Sequence, residues 1–359
     1  MIHAVPRDAA RPDLDAAIAA IAAGAAERDR DSSGAFPTCA VDTLAAAGAM
    51  QVTAGPNPVS YAEELALLRA VAAADTGVAR ILDGHLNAVE RLRVHAPAEL
   101  RDAELAAIAT GGRRAGVWGA DPVPGEGEPA RVAAGAMHGT KTFCSGAGGL
   151  ERAIVLARVD GVDAPVAAWV DLTAAGTIAV DRLWFRGAGM RSSASHRVTF
   201  AGTPVLALLG PPGALLTQPW FARDAIRTAA TWAGAADAAV DDALARLAAR
   251  PTAGDLEALA AGRLRTWQET IGLWLRAAAA ELDTRRPEDP GGFAARARTA
   301  LADAARAILD EAERATGSRP AAAGSVLDRA ARDLRLFLLQ HRLEPILARA
   351  GAADLEARR

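Results

Sequence analysis

One short segment of the chain carries residue types suited to holding a flat ligand. Residues 139–148 read Gly-Thr-Lys-Thr-Phe-Cys-Ser-Gly-Ala-Gly, and a strand-like run from Ala153 to Val159 follows them. Glycine lacks the Cβ that would keep a backbone at a distance, so a chain can turn here and approach a planar ring closely. Small hydroxyl groups and the aromatic ring of Phe143 stand beside these glycines. The segment therefore predicts a wall for a planar ligand.

Other kinds of chemistry have weaker support in the sequence. No His-x-x-x-His, Cys-x-x-Cys or His-Glu pairing predicts a metal site, and we expect none. The glycine-rich patterns of phosphate-binding loops and of dinucleotide-binding folds do not occur either. Three serines, Ser192, Ser193 and Ser195, precede His196, but a histidine so close in sequence to serines is usually incidental.

Composition limits the class of protein. Of the 359 residues, 51% are hydrophobic and 23% are charged, which is typical of a globular chain that buries a large core. The net charge of −3 gives no overall basic surface for nucleic acid. The two cysteines do not make a disulfide framework, and the longest aliphatic run near the start is too short to span a bilayer. We expect a cytoplasmic protein without nucleic-acid or membrane partners.

Three regions differ in their hydrophobic periodicity. Helical spacing dominates to about residue 110, short β-favouring runs fill residues 115–210, and long helical patterns return from Trp220. We expect an α+β fold, mostly α. The expected domains are an N-terminal helical domain (1–114), a middle antiparallel sheet or barrel (115–212) and a C-terminal four-helix bundle (213–359). The four C-terminal helices are placed near 220–249, 253–283, 290–315 and 325–350.

This order of domains, together with several local motifs, resembles the acyl-CoA dehydrogenase superfamily. Residues 139–148 are similar to the family's flavin-contacting strand, Gly-x-Lys-x-Trp-Ile-Thr-Asn-Ala-Gly. Residues 187–193 resemble its Gly-x-Arg-x-Ser turn, and Arg332-Asp333 matches an Arg-Asp pair in its last helix. The resemblance covers nearly the whole chain and implies a flavoprotein with FAD, or alternatively FMN.

The resemblance also implies positions for the cofactor. Ser145 takes the place of a threonine whose hydroxyl bonds the flavin near N5, and Phe143 takes the place of a tryptophan that packs against the ring. Cys144 lies between them, and Trp118 ends the upstream strand, which here lacks the family's Thr and Ser hydroxyls. The family's motifs for the adenine half of FAD are absent, which leaves Arg319 as a candidate phosphate contact.

The catalytic base is the main departure from the family pattern. The Glu-Gly-Thr turn that carries the base in most members is absent, and its position falls on His341. A minority of members carry the base on the first helix of the last domain, where this chain has Asp224. A carboxylate there suits removal of an α-proton if burial raises its pKa, although Asp224 would also suit the first turn of a helix. His85 and Arg191 are candidate substrate contacts.

Three functions stay open from the sequence. The first is α,β-dehydrogenation of an acyl thioester, with Asp224 as the base. The second is a two-component flavin monooxygenase that borrows reduced flavin, uses Ser145 and His341 in the oxygen chemistry and acts on an aromatic substrate. The third is a degenerate paralogue without activity. The resemblance implies a homodimer or homotetramer in each case.

Overall fold

The computed structural model describes residues 12–252, 254–283, 288–340 and 342–359. Helices form the first part of the chain, as the periodicity predicts. Their bounds are α1 Pro12–Arg30, α2 Thr38–Ala46, α3 Tyr61–Ala74, α4 Thr76–His95 and α5 Ala98–Ala109.

Side-chain caps fix the starts of α3 and α4. The Ser60 hydroxyl accepts from the Glu63 N–H, and the Glu63 carboxylate accepts from the Ser60 N–H, which is a reciprocal capping box. The Asp75 carboxylate accepts from the Val78 N–H at 3.1 Å and begins α4. The backbone of Asp75 is extended, so the chain leaves α3 and enters α4 at this residue with a sharp change of direction.

Strands occupy the middle of the chain. Their bounds are β1 Ala115–Trp118, β2 Arg131–Ala133, β3 Ala136–Cys144, β4 Arg152–Val159, β5 Val162–Asp171, β6 Ile178–Asp181 and β7 His196–Leu208. They form a seven-stranded sheet in the order β1-β4-β2-β3-β7-β5, with β6 added beside β7. β3 and β7 are antiparallel, and their last pair, Cys144 with His196, follows a register shift.

The expectation of an antiparallel sheet or barrel needs correction. The sheet is mixed, because β1 and β2 both run parallel to β4. It is not a barrel. β2 has only three residues and meets β4 at one position, Arg131 with Arg158. So brief a contact cannot make a continuous ladder of hydrogen bonds between the two strands.

Helices return after β7, as predicted, and α6, α7, α8 and α10 form the bundle. Their bounds are α6 Trp220–Ala248, α7 Asp255–Leu282, α8 Pro290–Thr316, α9 Arg319–Ala322, α10 Val326–Phe337 and α11 Glu344–Glu356. The predicted helix 325–350 is in fact two helices. Pro345 disfavours helical backbone in the residue before it and suits the first turn of α11, so α10 has already ended when α11 begins.

Small side chains bring the N-terminal and C-terminal helices into close contact. α6 packs against α3, α4, α7, α8 and α10, and its buried face is largely alanine. A Cβ added to Gly234 would stand 2.1 Å from the Arg69 carbonyl oxygen of α3, so only glycine permits this crossing. Within the described residues, no helix is long and apolar enough to cross a membrane.

Candidate functional site

The predicted wall lies where β3 ends. Cys144 is buried in the core, while the neighbouring residue Phe143 is 54% exposed. The Phe143 backbone is left-handed, with φ +50°, which an L-residue with a large side chain rarely adopts. The Trp184 ring meets the Phe143 ring edge-on, with centroids 4.8 Å apart. An exposed aromatic ring is therefore held in one orientation.

Further apolar side chains extend this surface, which we call the aromatic patch: Phe143, Leu183, Trp184 and Phe185. The ring centroids of Phe143 and Phe185 are 6.3 Å apart, and the Leu183 side chain is 61% exposed. The Trp184 indole N–H donates to the Glu126 carboxylate at 2.8 Å, which fixes the ring. Phe143 and Leu183 are exposed, and Trp184 and Phe185 are half-buried, so the aromatic patch is an apolar surface beside the wall.

A row of three serine hydroxyls begins at the wall and runs into the protein. The Ser145 and Ser195 Oγ atoms are 2.9 Å apart, and the Ser195 and Ser193 Oγ atoms are 2.7 Å apart. The Ser193 hydroxyl donates to the Met190 carbonyl at 2.7 Å. Ser145 is partly exposed, whereas Ser193 and Ser195 are buried. Only the outermost hydroxyl is thus in reach of a ligand.

Buried groups support the wall from behind. Trp118 is buried, and its indole N–H donates to the Ser145 carbonyl at 3.0 Å. The buried ammonium of Lys141 donates to the Gly119 carbonyl at 3.0 Å and to the Asp121 carboxylate at 2.7 Å. Burial raises the pKa of the Cys144 thiol well above its ordinary value, so the sulfur stays protonated. Trp118 and Cys144 therefore position Phe143 and Ser145 and do not face the ligand surface.

The turn that carries Met190 is held by helices from both ends of the chain. The Met190 N–H donates to the Asp333 carboxyl of α10 at 2.5 Å. On the other side, a Cβ on Gly77 of α4 would stand 2.2 Å from the Ser192 hydroxyl, and that hydroxyl donates to Asp75 at 2.5 Å. The serine row therefore starts from a turn that is closely packed on two helices.

A groove of about 610 Å³ lies beside α10. It is lined by the end of α8, by α9 and by α10, including Ser318 and Arg335. Leu336 of α10 lies close to Phe185, since a Cβ on Gly187 would stand 2.9 Å from both side chains. Arg319 is exposed on α9, between the groove-lining residues Ser318 and Pro320.

Asp224 lies in an ion-pair network between α4 and α6. Its carboxylate accepts from the Arg91 guanidinium at 2.5 and 3.0 Å and from Arg227 at 3.4 Å. Burial raises the pKa of Asp224 to about 7, although the charges of Arg91 and Arg227 oppose the rise. Arg227 also bonds the Glu64 and Glu90 carboxylates. The carboxylate therefore has arginine partners on both oxygens.

The structure does not bring Asp224 to the serine row. Arg91, which binds Asp224, and Gly77, which packs on Ser193, stand 14 residues apart on α4. That interval is about 21 Å of helix. Ser145 itself lies beside the middle of α4, because Gly84 packs on Gly116 and a Cβ on Gly116 would stand 3.7 Å from the Ser145 carbonyl oxygen.

The two other described candidates are tied to backbone groups. The His85 ring is fully buried, and its Nδ1 accepts from the Ala115 N–H at 3.0 Å while Nε2 donates to the Met50 carbonyl at 2.7 Å. Burial lowers the pKa of His85 to about 4, so the ring is neutral and both nitrogens are committed. Arg191 is exposed and donates to the Asp29 carbonyl at 3.0 Å. His341 lies outside the described residues.

No group of three or more His, Cys, Asp or Glu side chains in the described part of the chain is arranged to hold a metal ion. Two features of the site were missed by sequence reasoning. The pairing of Ser145 with Ser195 depends on the register of β3 and β7, and the aromatic patch depends on the loop after β6. The run Leu183-Trp184-Phe185, three large apolar residues before a glycine-rich turn, is the signal that was available for the patch.

Comparison with solved structures confirms the fold. Dibenzothiophene monooxygenase (TdsC) from Paenibacillus sp. A11-2 is 21% identical, with a TM-score of 0.83 over 97% of each chain. KijD3, solved with FMN and a dTDP-linked amino sugar, is 25% identical, with a TM-score of 0.82 over 98% of this chain and 95% of its own. Butyryl-CoA dehydrogenase from Megasphaera elsdenii is 18% identical, with a TM-score of 0.82 over 99% of this chain and 100% of its own. No protein-family model and no curated sequence matches the chain.

Proposed function

We propose that this chain, a divergent member of the acyl-CoA dehydrogenase-like fold, is a flavin-dependent oxidoreductase that holds the isoalloxazine ring against Phe143 and Ser145. The outward position of these two side chains at the end of β3 is the observation that supports it most. An exposed aromatic face and an exposed hydroxyl, braced from behind by Trp118, match the shape and the polar edge of a flavin.

The side chains present fit an FMN-sized cofactor. The aromatic patch offers a face for the ring, and Ser145 offers a hydroxyl to its polar edge. In the groove beside α10, the Arg335 guanidinium pairs with the Glu313 and Asp310 carboxylates. Ser318 and the exposed Arg319 are therefore the candidate phosphate contacts. When bound, the flavin supplies or accepts the electrons of the reaction. KijD3 and TdsC have both been solved with FMN.

Within this class, we propose monooxygenation of a small aromatic substrate by a homo-oligomer that takes reduced FMN from solution. The hydrogen bonds of Asp224 support this choice, because Arg91 and Arg227 occupy its two carboxylate oxygens. One observation favours acyl thioester dehydrogenation instead. The pKa of Asp224, raised by burial to about 7, is suited to a base at neutral pH.

The visible spectrum of the purified protein is the first test. A colourless protein that binds added reduced FMN is the expected result. The second step supplies a flavin reductase, NADH, dioxygen and indole, a ligand of TdsC, and looks for oxygenated product by mass spectrometry.

Two results would contradict the proposal in different ways. Anaerobic bleaching of the flavin bands by butyryl-CoA, lost in Asp224→Asn, would establish the dehydrogenase instead. A protein that binds neither oxidised nor reduced FMN or FAD would exclude a flavin enzyme altogether.

A further inference from the structure

On the premise that the ligand is the isoalloxazine of the proposed function, we infer that the serine row makes Ser145 an obligate hydrogen-bond acceptor and thereby selects reduced flavin. The row consists of Ser145, Ser195 and Ser193 and ends on the Met190 carbonyl. The selection comes from the direction of its hydrogen bonds, which the inner end of the row determines.

The direction follows from counting hydrogens. A carbonyl oxygen only accepts, so the Ser193 hydroxyl commits its single hydrogen to Met190 at 2.7 Å. Ser193 then has only lone pairs for Ser195, so Ser195 donates to it over 2.7 Å. Ser195 in turn has only lone pairs for Ser145, so Ser145 donates inward over 2.9 Å. All three hydrogens point into the protein, and lone pairs of Ser145 face outward.

Burial keeps the row in this direction. Ser193 is fully buried and Ser195 is 7% exposed, so bulk water does not compete for their hydrogens. Reversal would remove the Ser193 hydroxyl from the Met190 carbonyl, at the cost of a buried hydrogen bond. The Ser193 backbone N–H also donates to the same carbonyl at 3.1 Å, which holds the short turn in place.

The resemblance to the acyl-CoA dehydrogenase superfamily implies that the Ser145 hydroxyl meets the flavin near N5, and the two redox forms of a flavin differ at that atom. N5 of the oxidised ring carries a lone pair and accepts, whereas N5 of the reduced ring carries a hydrogen and donates. A Ser145 hydroxyl that only accepts can form a hydrogen bond with N5 of the reduced ring. With the oxidised ring, a lone pair of Ser145 would face the lone pair of N5, and no hydrogen bond would form. We expect reduced FMN to bind about tenfold more tightly, which is the order of one hydrogen bond gained or lost.

The experiment measures dissociation constants for oxidised FMN and for dithionite-reduced FMN under argon, with tryptophan fluorescence as the readout. Ser195→Ala removes the acceptor of the Ser145 hydrogen, and Ser193→Ala frees the Ser195 hydrogen to turn toward Ser145. In both variants, the Ser145 hydroxyl can donate its hydrogen to the ligand. The ratio of the dissociation constant for oxidised FMN to that for reduced FMN should therefore fall about five- to tenfold, toward one.

Ser192→Ala is the matched control, since Ser192 lies in the same turn but donates to Asp75. This variant should keep the wild-type ratio of the two dissociation constants. Circular dichroism verifies that each variant is folded, and the two buried-serine variants act independently, so one misfolded protein does not end the test.

The outcomes separate the inference from the function. Flavin binding with an unchanged ratio in both Ser193→Ala and Ser195→Ala would overturn the inference and leave the flavin proposal standing. Unchanged affinity for both redox forms in Ser145→Ala would also overturn it, because the hydroxyl would then not face the ring. Absence of binding in either redox state would overturn both.

Discussion

Gly189 lies directly against the backbone of Arg332, because a Cβ built on the glycine would stand 2.3 Å from the Arg332 carbonyl oxygen. This contact joins the turn before the serine row to α10. The Arg332 guanidinium strengthens the same junction through the Ala188 carbonyl and the Asp29 and Asp328 carboxylates. The glycine is therefore needed for space, independently of any ligand.

The first prediction concerns this contact. Gly189→Ala should destabilise the protein by about 1–3 kcal/mol, because a backbone segment must move to admit the methyl group. Chemical denaturation measures the free energy of unfolding. Gly262→Ala is the control of opposite sign, since a Cβ there meets no atom within 4 Å and alanine favours the α7 helix by about 1 kcal/mol. Equal stability of Gly189→Ala and wild type would contradict the prediction.

The second prediction concerns the pH dependence of stability. Burial raises the pKa of Asp333 to about 7 from an ordinary 3.8, against the opposing Met190 hydrogen bond. The folded state therefore holds a proton that the unfolded state releases between about pH 4 and 7. The contribution of the protonated Asp333 carboxyl to the free energy of unfolding is fully present below about pH 4. It is lost as the pH rises through 7.

Asp333→Asn should flatten that dependence. Its amide oxygen can still accept from the Met190 N–H, so at pH 8 the variant should exceed wild type in stability by an amount on the order of a few kcal/mol. Thermal unfolding followed from pH 4 to 8 checks this. Asp303→Asn, at an exposed position, should keep the wild-type slope. A wild-type slope in Asp333→Asn would show that another group is responsible.

The third prediction concerns the ion pairs around Arg227. Its guanidinium is fully buried and bonds Glu64 at 2.7 Å and Glu90 at 2.8 and 2.9 Å. Arg227→Met would leave the two buried carboxylates with Arg223 alone, which bonds Glu90 at 2.7 Å but stands 3.7 Å from Glu64. We expect a cost of about 3 kcal/mol. Urea denaturation measures it. Arg306→Ala, which breaks an exposed pair with Asp303, should cost less than about 1 kcal/mol. Similar losses in the two variants would contradict the argument from burial.

The fourth prediction uses the left-handed backbone of Phe143. Phe143→Gly should be more stable than Phe143→Ala by about 1 kcal/mol, because only glycine adopts φ +50° without strain. Both should bind FMN more weakly than wild type, since the exposed ring is lost in each. Leu273, exposed within α7, provides the reverse comparison: glycine there should be less stable than alanine by about 1 kcal/mol. Thermal unfolding and FMN titration distinguish the strain from the ligand contact.

The sequence predicts the order of helices and strands because hydrophobic periodicity is a local property. It also predicts the wall at residues 139–148, since glycines and hydroxyls lie together in the chain. The contact between Ser145 and Ser195, in contrast, could not be predicted from the sequence. Ser195 is 50 residues away and reaches Ser145 through the pairing of Cys144 with His196, which follows a register shift. A bulge of this kind leaves no signal in the spacing of side chains.

The ion-pair network around Asp224 could not be predicted from the sequence either. From the sequence, Asp224 would also suit the first turn of a helix, but α6 begins at Trp220 and has no acidic residue in its first turn. Helix spacing also gives no information about the partner supplied by α4. Arg91 lies 133 residues earlier, and only tertiary packing brings the two charges together. The parallel pairing of β1 with β4 was unpredicted for the same reason, because strand direction depends on the route of the chain between them.

Met190 is in the left-handed conformation, with φ +57° and ψ 26°, and it uses both of its peptide groups at once. Its N–H donates to the Asp333 carboxyl on α10, and its carbonyl accepts from the Ser193 hydroxyl. Four consecutive hydrogen bonds thus connect Asp333 to the outer oxygen of Ser145. A displacement of α10 would be transmitted along this line to the Ser145 hydroxyl, so the docking of that helix and the placement of the outer hydroxyl are mechanically coupled.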